Sequence, residues 1–270
     1  MQNPGLPALF ISHGAPLFAI HPGTTGPALS AYGEQLRHES AIKGVVIMSP
    51  HWMTRGVTVM RNPKPETFHD FGGFPAELYA LQYPALGDTA LSDNVLALLK
   101  QAGFNPASDA ERPLDHGAWV PLMHLLPKAD IPVVQVSLPA GWTPEQVLQL
   151  GQAVQPLREQ GILVIGSGSM THNLSEFFGG NARPDPYVDA FSRWIESALV
   201  RHDVAALLDY ATRAPSAKRA HPSDDHFLPL FFALGAAGTH ATPTYLSREV
   251  VYNMLAMDSF SLGSATPATQ

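Results

Sequence analysis

Gly44-Val-Val-Ile-Met-Ser-Pro-His51 is the stretch that decides the fold: an unbroken apolar run, stopped by Ser49 and Pro50, with a histidine just past its end. A strand wetted on one face alternates apolar and polar residues, whereas a continuous apolar run predicts a strand buried on both faces, in a sheet covered by helices on each side. Leu6-Pro-Ala-Leu-Phe-Ile-Ser12 reads the same way and also delivers a histidine, His13. Ile131-Pro-Val-Val-Gln-Val-Ser-Leu138 and Gly161-Ile-Leu-Val-Ile-Gly166 follow, with Val57-Thr-Val-Met60 as a shorter β-branched candidate.

Helical patterns fall between these runs, over residues 91–101, 118–126, 144–159, 187–200 and 225–234. Thr143-Pro-Glu-Gln146 combines a Thr cap, Pro at the first helical position and Gln at the third. Strands alternating with helices predict an α/β fold with a central, mostly parallel sheet flanked by helices. Pro- and Gly-rich stretches at 62–87, 105–113 and 215–222 read as loops, and no repeat or low-complexity linker marks a boundary. A single domain over residues 1–270 is therefore expected, with a frayed tail from Ser264 to Gln270.

Composition excludes several classes of function. The chain of 270 residues is 45% hydrophobic and 14% charged, enough to fill a large core. A net charge of −7 with scattered basic residues argues against a nucleic-acid surface. Without cysteine there is no thiolate ligand or thiol nucleophile, so a transition-metal site would have to use imidazole and carboxylate. No basic leader and no bilayer-length apolar segment is visible, so no membrane partner is expected and a cytoplasmic enzyme is.

Ligands of open α/β sheets bind beyond the carboxyl ends of the strands, where loops converge on a rigid frame. His13 and His51 fall there, and two imidazoles so placed could share a metal; either alone reads equally as a hydrogen-bonded structural histidine. His172 follows a third strand in Gly166-Ser-Gly-Ser-Met-Thr-His172, read as a small, flexible loop. That loop lacks the P-loop lysine and the glycine spacing of a Rossmann turn or a serine-hydrolase elbow. His226 belongs to the polar cluster His221-Pro-Ser-Asp-Asp-His226, which reads as the opening of an apolar helix with His226 in its first turn and Asp224 and Asp225 as caps. His116 opens another helix and suits a substrate pocket or simple helix-end solvation. His38, His124, His202 and His240 read as surface or packing residues, and His21 and His69 as pocket-rim candidates.

Together these segments resemble the LigB-like class III extradiol dioxygenases, in the branch that includes DOPA extradiol dioxygenases. The stretches that carry the likeness run nearly end to end: Ser12-His-Gly-Ala-Pro16, Ser49-Pro-His-Trp-Met-Thr-Arg-Gly56, Phe68-His-Asp-Phe-Gly-Gly-Phe-Pro75, Asp115-His-Gly-Ala-Trp119, Met170-Thr-His-Asn-Leu174 and Asp225-His-Phe-Leu-Pro-Leu230. The resemblance implies that His13 and His51 are metal ligands and that His226 stands where other class III enzymes carry a glutamate ligand. It gives His172 two roles, acid/base beside the metal or a fourth ligand, and sets His116 to stabilise developing negative charge. His69 and Phe71 are implied substrate contacts at the pocket mouth; His221, which precedes Pro222, reads from the residues as a loop residue or as a lid that contacts the substrate.

The implied reaction joins a small aromatic diol and O₂ and opens the ring next to the diol. One divalent metal is required, and Fe²⁺ is expected because zinc has no accessible redox change, although an all-imidazole set also suits Zn²⁺. The rival reading is therefore a zinc hydrolase on the same histidines, with Asp70, Asp115 or Asp225 as its acid/base. A non-enzymatic metal-binding scaffold ranks below both.

Overall fold

The computed structural model describes residues 5–177 and 184–263; the tail expected to fray lies outside them. The apolar runs form strands β1 (Ala8–Ser12), β2 (Gly44–Thr54), β3 (Thr58–Met60), β5 (Val133–Pro139) and β6 (Ile162–Gly168). Further short strands are β4 (Ala107–Asp109), β7 (Pro243–Ser247), β8 (Val250–Val251), β9 (Leu255–Ala256) and β10 (Ser259–Leu262). The main sheet has eight strands in the order β4-β3-β5-β2-β6-β1-β10-β7. Its centre, β5-β2-β6-β1, is parallel throughout, while β3 runs against β5 and β10 runs against both β1 and β7.

Alternate residues of the central strands feed two separate cores. Phe10, Val46, Met48, Val134 and Val164 pack on one face with helices Pro144–Val154, Pro186–Val200 and Pro229–Ala237. Leu9, Ile11, Val45, Ile47 and Ile165 pack on the other with helices Thr25–Glu39 and His116–Leu125. Burial on both faces is why these strands lack polar alternation, and each such side chain contributes about 1.5–3 kcal/mol. Parallel strands share one carboxyl edge, so the chains leaving β1, β2 and β6 emerge together.

Helix Thr25–Glu39 is absent from the sequence reading because Gly26, Pro27 and Gly33 mask its period. The structure gives Gly33 a packing reason: a Cβ there would lie 1.8 Å from the Leu125 carbonyl oxygen, so only glycine lets this helix lie against His116–Leu125. The expected 144–159 helix ends at Val154 and continues as a 3₁₀ turn, Gln155–Gln160, across Pro156. Strands β7 to β10 are too short and mixed in polarity to show a period of two.

Several expectations that bear on the site are corrected. Strand β2 does not stop at Ser49: it runs to Thr54, with its register against β5 shifting between Ser49 and Met53, so His51 sits on a bulge inside the strand. The helix expected from 225 begins at Pro229, leaving His226 in the turn before it. Gly166-Ser-Gly168 is no flexible loop but the end of β6. Its glycines serve close approach, since a Cβ would meet the Pro229 carbonyl oxygen at 1.9 Å from Gly166 and that of His226 at 2.2 Å from Gly168.

Candidate metal centre

Backbone hydrogen bonds stitch the carboxyl-edge segments together. His13 N–H donates to Gly168 O at 2.9 Å, Ser169 N–H to His226 O at 2.8 Å, and His172 N–H to Ala220 O at 2.8 Å. Gly14 has φ +62°, the left-handed turn that lets the chain leave β1 sharply after His13. Asp115 caps helix His116–Leu125 through Ala118 N–H, and it also accepts from Arg112 and Gln135. Arg112 lies over the Trp52 ring and bonds His51 O, bracing the bulge that carries His51.

The imidazoles of His13, His51, His116, His172 and His226 gather at this edge. Ring nitrogens of His13, His51 and His116 all lie within 4.8 Å of one another. The ring centres of His13, His51 and His226 form a nearly equilateral triangle with sides of 5.1, 5.4 and 5.1 Å. His116 is less evenly placed, 3.9 Å from His51 and 5.7 Å from His13. His172 stacks on His226 at 3.6 Å with an interplanar angle of 4°. Gly117 makes room for this: a Cβ there would be 2.8 Å from His51 Cδ2 and 3.2 Å from His13 Cε1.

Hydrogen bonds on the far side of each ring fix which nitrogen is free. Ser167 Oγ gives its single proton to Gly117 O, so it accepts from His13 Nδ1–H at 2.9 Å, which leaves His13 Nε2 as the unprotonated nitrogen, turned to His51. His226 Nδ1–H donates to Asp225, and His116 Nδ1–H donates to Asp70 at 2.9 Å, which frees Nε2 in both. Asp70 also accepts the His116 backbone N–H and stands 3.8 Å from His51 Nδ1. His13 Nε2 and His51 Nε2 face each other at 3.2 Å. Two nitrogens bound to one tetrahedral divalent ion at roughly 2.0–2.1 Å are about 3.3 Å apart, so this edge fits a shared metal.

The electrostatics suit a cation better than bound protons. Burial, reinforced by neighbouring imidazoles, holds His13 well below the ordinary histidine range and pushes His51 down to about 4. Burial pushes His226 down to about 3 despite its bond to Asp225, and lowers His172 as well. The rings are thus neutral near pH 7 and offer lone pairs. Burial raises the Asp70 carboxyl, but the ring and backbone N–H groups of His116 outweigh it and keep Asp70 ionised.

A cavity of about 320 Å³ opens above the centre, with His51, His116, His172 and His226 in its wall beside Phe71. His69 and His221 are not in that wall. His69 bonds Leu81 O and packs on the Phe71, Tyr79 and Trp119 rings, behind the pocket aromatic. His221 is buried between Phe191 and Phe227 and bonds Met170 O. Asp225 orients His226 rather than capping a helix. The roles of Ser167 and Gly117 have no sequence signal, since a strand serine and a helix glycine do not reveal what they face.

Fold and site together define an α/β protein whose carboxyl-edge loops gather imidazoles able to hold a divalent metal. Residues 7–259 match the family described as the catalytic LigB subunit of aromatic ring-opening dioxygenase. A 4,5-DOPA dioxygenase extradiol of Beta vulgaris is 38% identical over 94% of each chain, and one of Escherichia coli K12 is 32% identical over 97% of each. A solved structure of an uncharacterized Escherichia coli K12 protein superposes with a TM-score of 0.78 at 27% identity, covering 96% of this chain and all of that one. The chain belongs to the LigB family and is an extradiol ring-opening dioxygenase, an oxidoreductase.

Proposed function

We propose that this chain binds one Fe²⁺ and opens a catechol-type ring next to its diol, consuming O₂. The observation that carries the reading is the pair of imidazoles facing each other at 3.2 Å, His13 buried with its tautomer fixed by Ser167 and His51 in the wall of a cavity. His13, His51 and His226 are the proposed ligands, supported by their even triangle and by a carboxylate or hydroxyl behind His226 and His13. When bound, Fe²⁺ supplies a redox-active centre that can hold a diol and O₂ side by side.

The chain's other residues position and move protons. His172, stacked on His226 and lowered by burial, is largely neutral near pH 7 and can accept a diol proton and later return it. His116, with Nδ1–H tied to Asp70, presents Nε2 to the cavity and is proposed to bond the substrate oxygen on which charge develops. Phe71 is proposed to pack on the aromatic ring. The proposed role of His69 is to hold Phe71, and that of His221 to support the His226 turn from below. A zinc hydrolase is disfavoured because each candidate carboxylate is already engaged: Asp70 accepts from His116, Asp225 from His226, and Asp115 from Arg112 and Gln135.

Anaerobic reconstitution with Fe²⁺ or Zn²⁺, followed by a catechol panel and air, tests the reading. Fe²⁺ protein should consume O₂ and yield a yellow ring-opened product, and Zn²⁺ protein should do neither. No O₂ uptake with any catechol would refute it.

A further inference from the structure

The cavity over the metal centre adjoins a larger one of about 530 Å³, and Gly14 and Ala15 line both. Glycine and alanine raise no side chain between the two spaces, and a Cβ on Gly14 would stand only 2.9 Å from Met257 Sδ. Where the walls meet, the described residues bring two rings together. Phe177 belongs to the wall of the first cavity and Tyr252 to that of the second, with ring centres 4.7 Å apart and planes at 47°.

Tyr252 holds that place against its backbone preference. It sits at the tip of the β8–β9 hairpin, in a turn closed by Met254 N–H donating to Val251 O at 3.3 Å. Both central residues are left-handed, Tyr252 with φ +52° and Asn253 with φ +58°. Asn, Asp and Gly suit such a turn, whereas a tyrosine there sets its Cβ against the following carbonyl oxygen. Full burial does not offset this strain, because Tyr252 is 40% exposed. The turn is fixed instead from its base, where the Thr171 hydroxyl, beside His172, accepts from Ala256 N–H at 2.8 Å and donates to Met254 O at 2.6 Å. A strained aromatic kept where folding does not call for it points to a task in the site.

We propose that Tyr252 is a specificity-determining residue: its ring, set against Phe177, closes the diol cavity toward its neighbour and limits how long a substituent the catechol can carry. The limit is one of length and applies to polar and apolar arms alike. Without the ring the two cavities join across Gly14 and Ala15, and a longer apolar arm gains contact with Phe18, Val251 and Met257. This rests on the ring-cleavage reading.

The test measures binding without turnover, using the full-length protein loaded with redox-inert Zn²⁺. Anaerobic calorimetry compares 4-methylcatechol with 4-(4-phenylbutyl)catechol for the parent and for Tyr252→Gly, Tyr252→Asn and Tyr252→Phe. The ratio of the long-arm Kd to the short-arm Kd should fall at least about tenfold in the Gly and Asn variants, the scale on which an apolar pocket discriminates by size. Tyr252→Phe, which keeps the ring, should match the parent. Urea midpoints of the Gly and Asn variants should be no lower than the parent's, since both residues suit the turn. An unchanged ratio in the folded Gly and Asn variants overturns the inference while leaving ring cleavage intact, and a lowered midpoint with that unchanged ratio assigns the ring to packing. Failure of both catechols to bind the parent overturns it too, and ring cleavage falls with it only if the Fe²⁺ protein also takes up no O₂.

Discussion

Gly117→Ala puts one methyl group where the structure has least room for it. The new Cβ would stand 2.2 Å from Ser49 Oγ, 2.8 Å from His51 Cδ2 and 3.2 Å from His13 Cε1, against an ordinary contact of 3.4 Å or more. His51 would have to retreat by about 0.6 Å, beyond the roughly 0.5 Å within which a ligand set must be held. Metal affinity should fall about 10–100-fold, the range seen when a supporting contact of a ligand is lost. Helix propensity acts the other way, since alanine is favoured over glycine by up to about 1 kcal/mol, so general loss of the helix is not the expected cause. Titration of Fe²⁺ or Zn²⁺ against a competing chelator, with circular dichroism to verify folding, measures the effect. Gly72→Ala, at a position with nothing within 4 Å, is the control and should be silent. A folded Gly117→Ala protein that binds metal as tightly as the parent would refute the placement of His13 and His51.

Ser167→Ala removes the acceptor that fixes the His13 tautomer and should weaken metal binding about tenfold with little change in fold, read by the same titration. Arg219→Ala should raise KM for a catechol more than it lowers kcat, because Arg219 holds the Glu176 end of the segment that supplies Leu174 and Phe177; an unchanged KM would contradict this. Acidification should destabilise the metal-free protein. His51 and His221 are pushed down to about 4 by burial, whereas the unfolded chain takes up these protons near 6.5. The unfolded state therefore binds more protons between about pH 6.5 and 4, so stability is complete above that window and declines through it as pH falls. Urea midpoints at pH 7.5, 6 and 5 should descend in that order, and level midpoints would count against it.

Legibility in the sequence followed the physics of each element. The central strands could be read because burial on both faces leaves an unbroken apolar run, and His13 and His172 because they follow such runs. His51 also follows such a run, but β2 bulges through it rather than ending before it. Helix Thr25–Glu39 was hidden by the glycines that let it pack. Asp225 looked like a cap because it precedes an apolar run, yet the helix starts later and its carboxylate turns to His226. Ser167 and Asp70 act through contacts across 154 and 46 residues, and no local pattern encodes such distances.

The most direct test is ring opening of a catechol by the Fe²⁺-reconstituted protein under ¹⁸O₂, with rapid quenching before carbonyl exchange and mass spectrometry of the product. The account predicts that both added oxygen atoms come from O₂. A product that takes its new oxygen from water, or an unlabelled catechol recovered with no O₂ consumed, would contradict it.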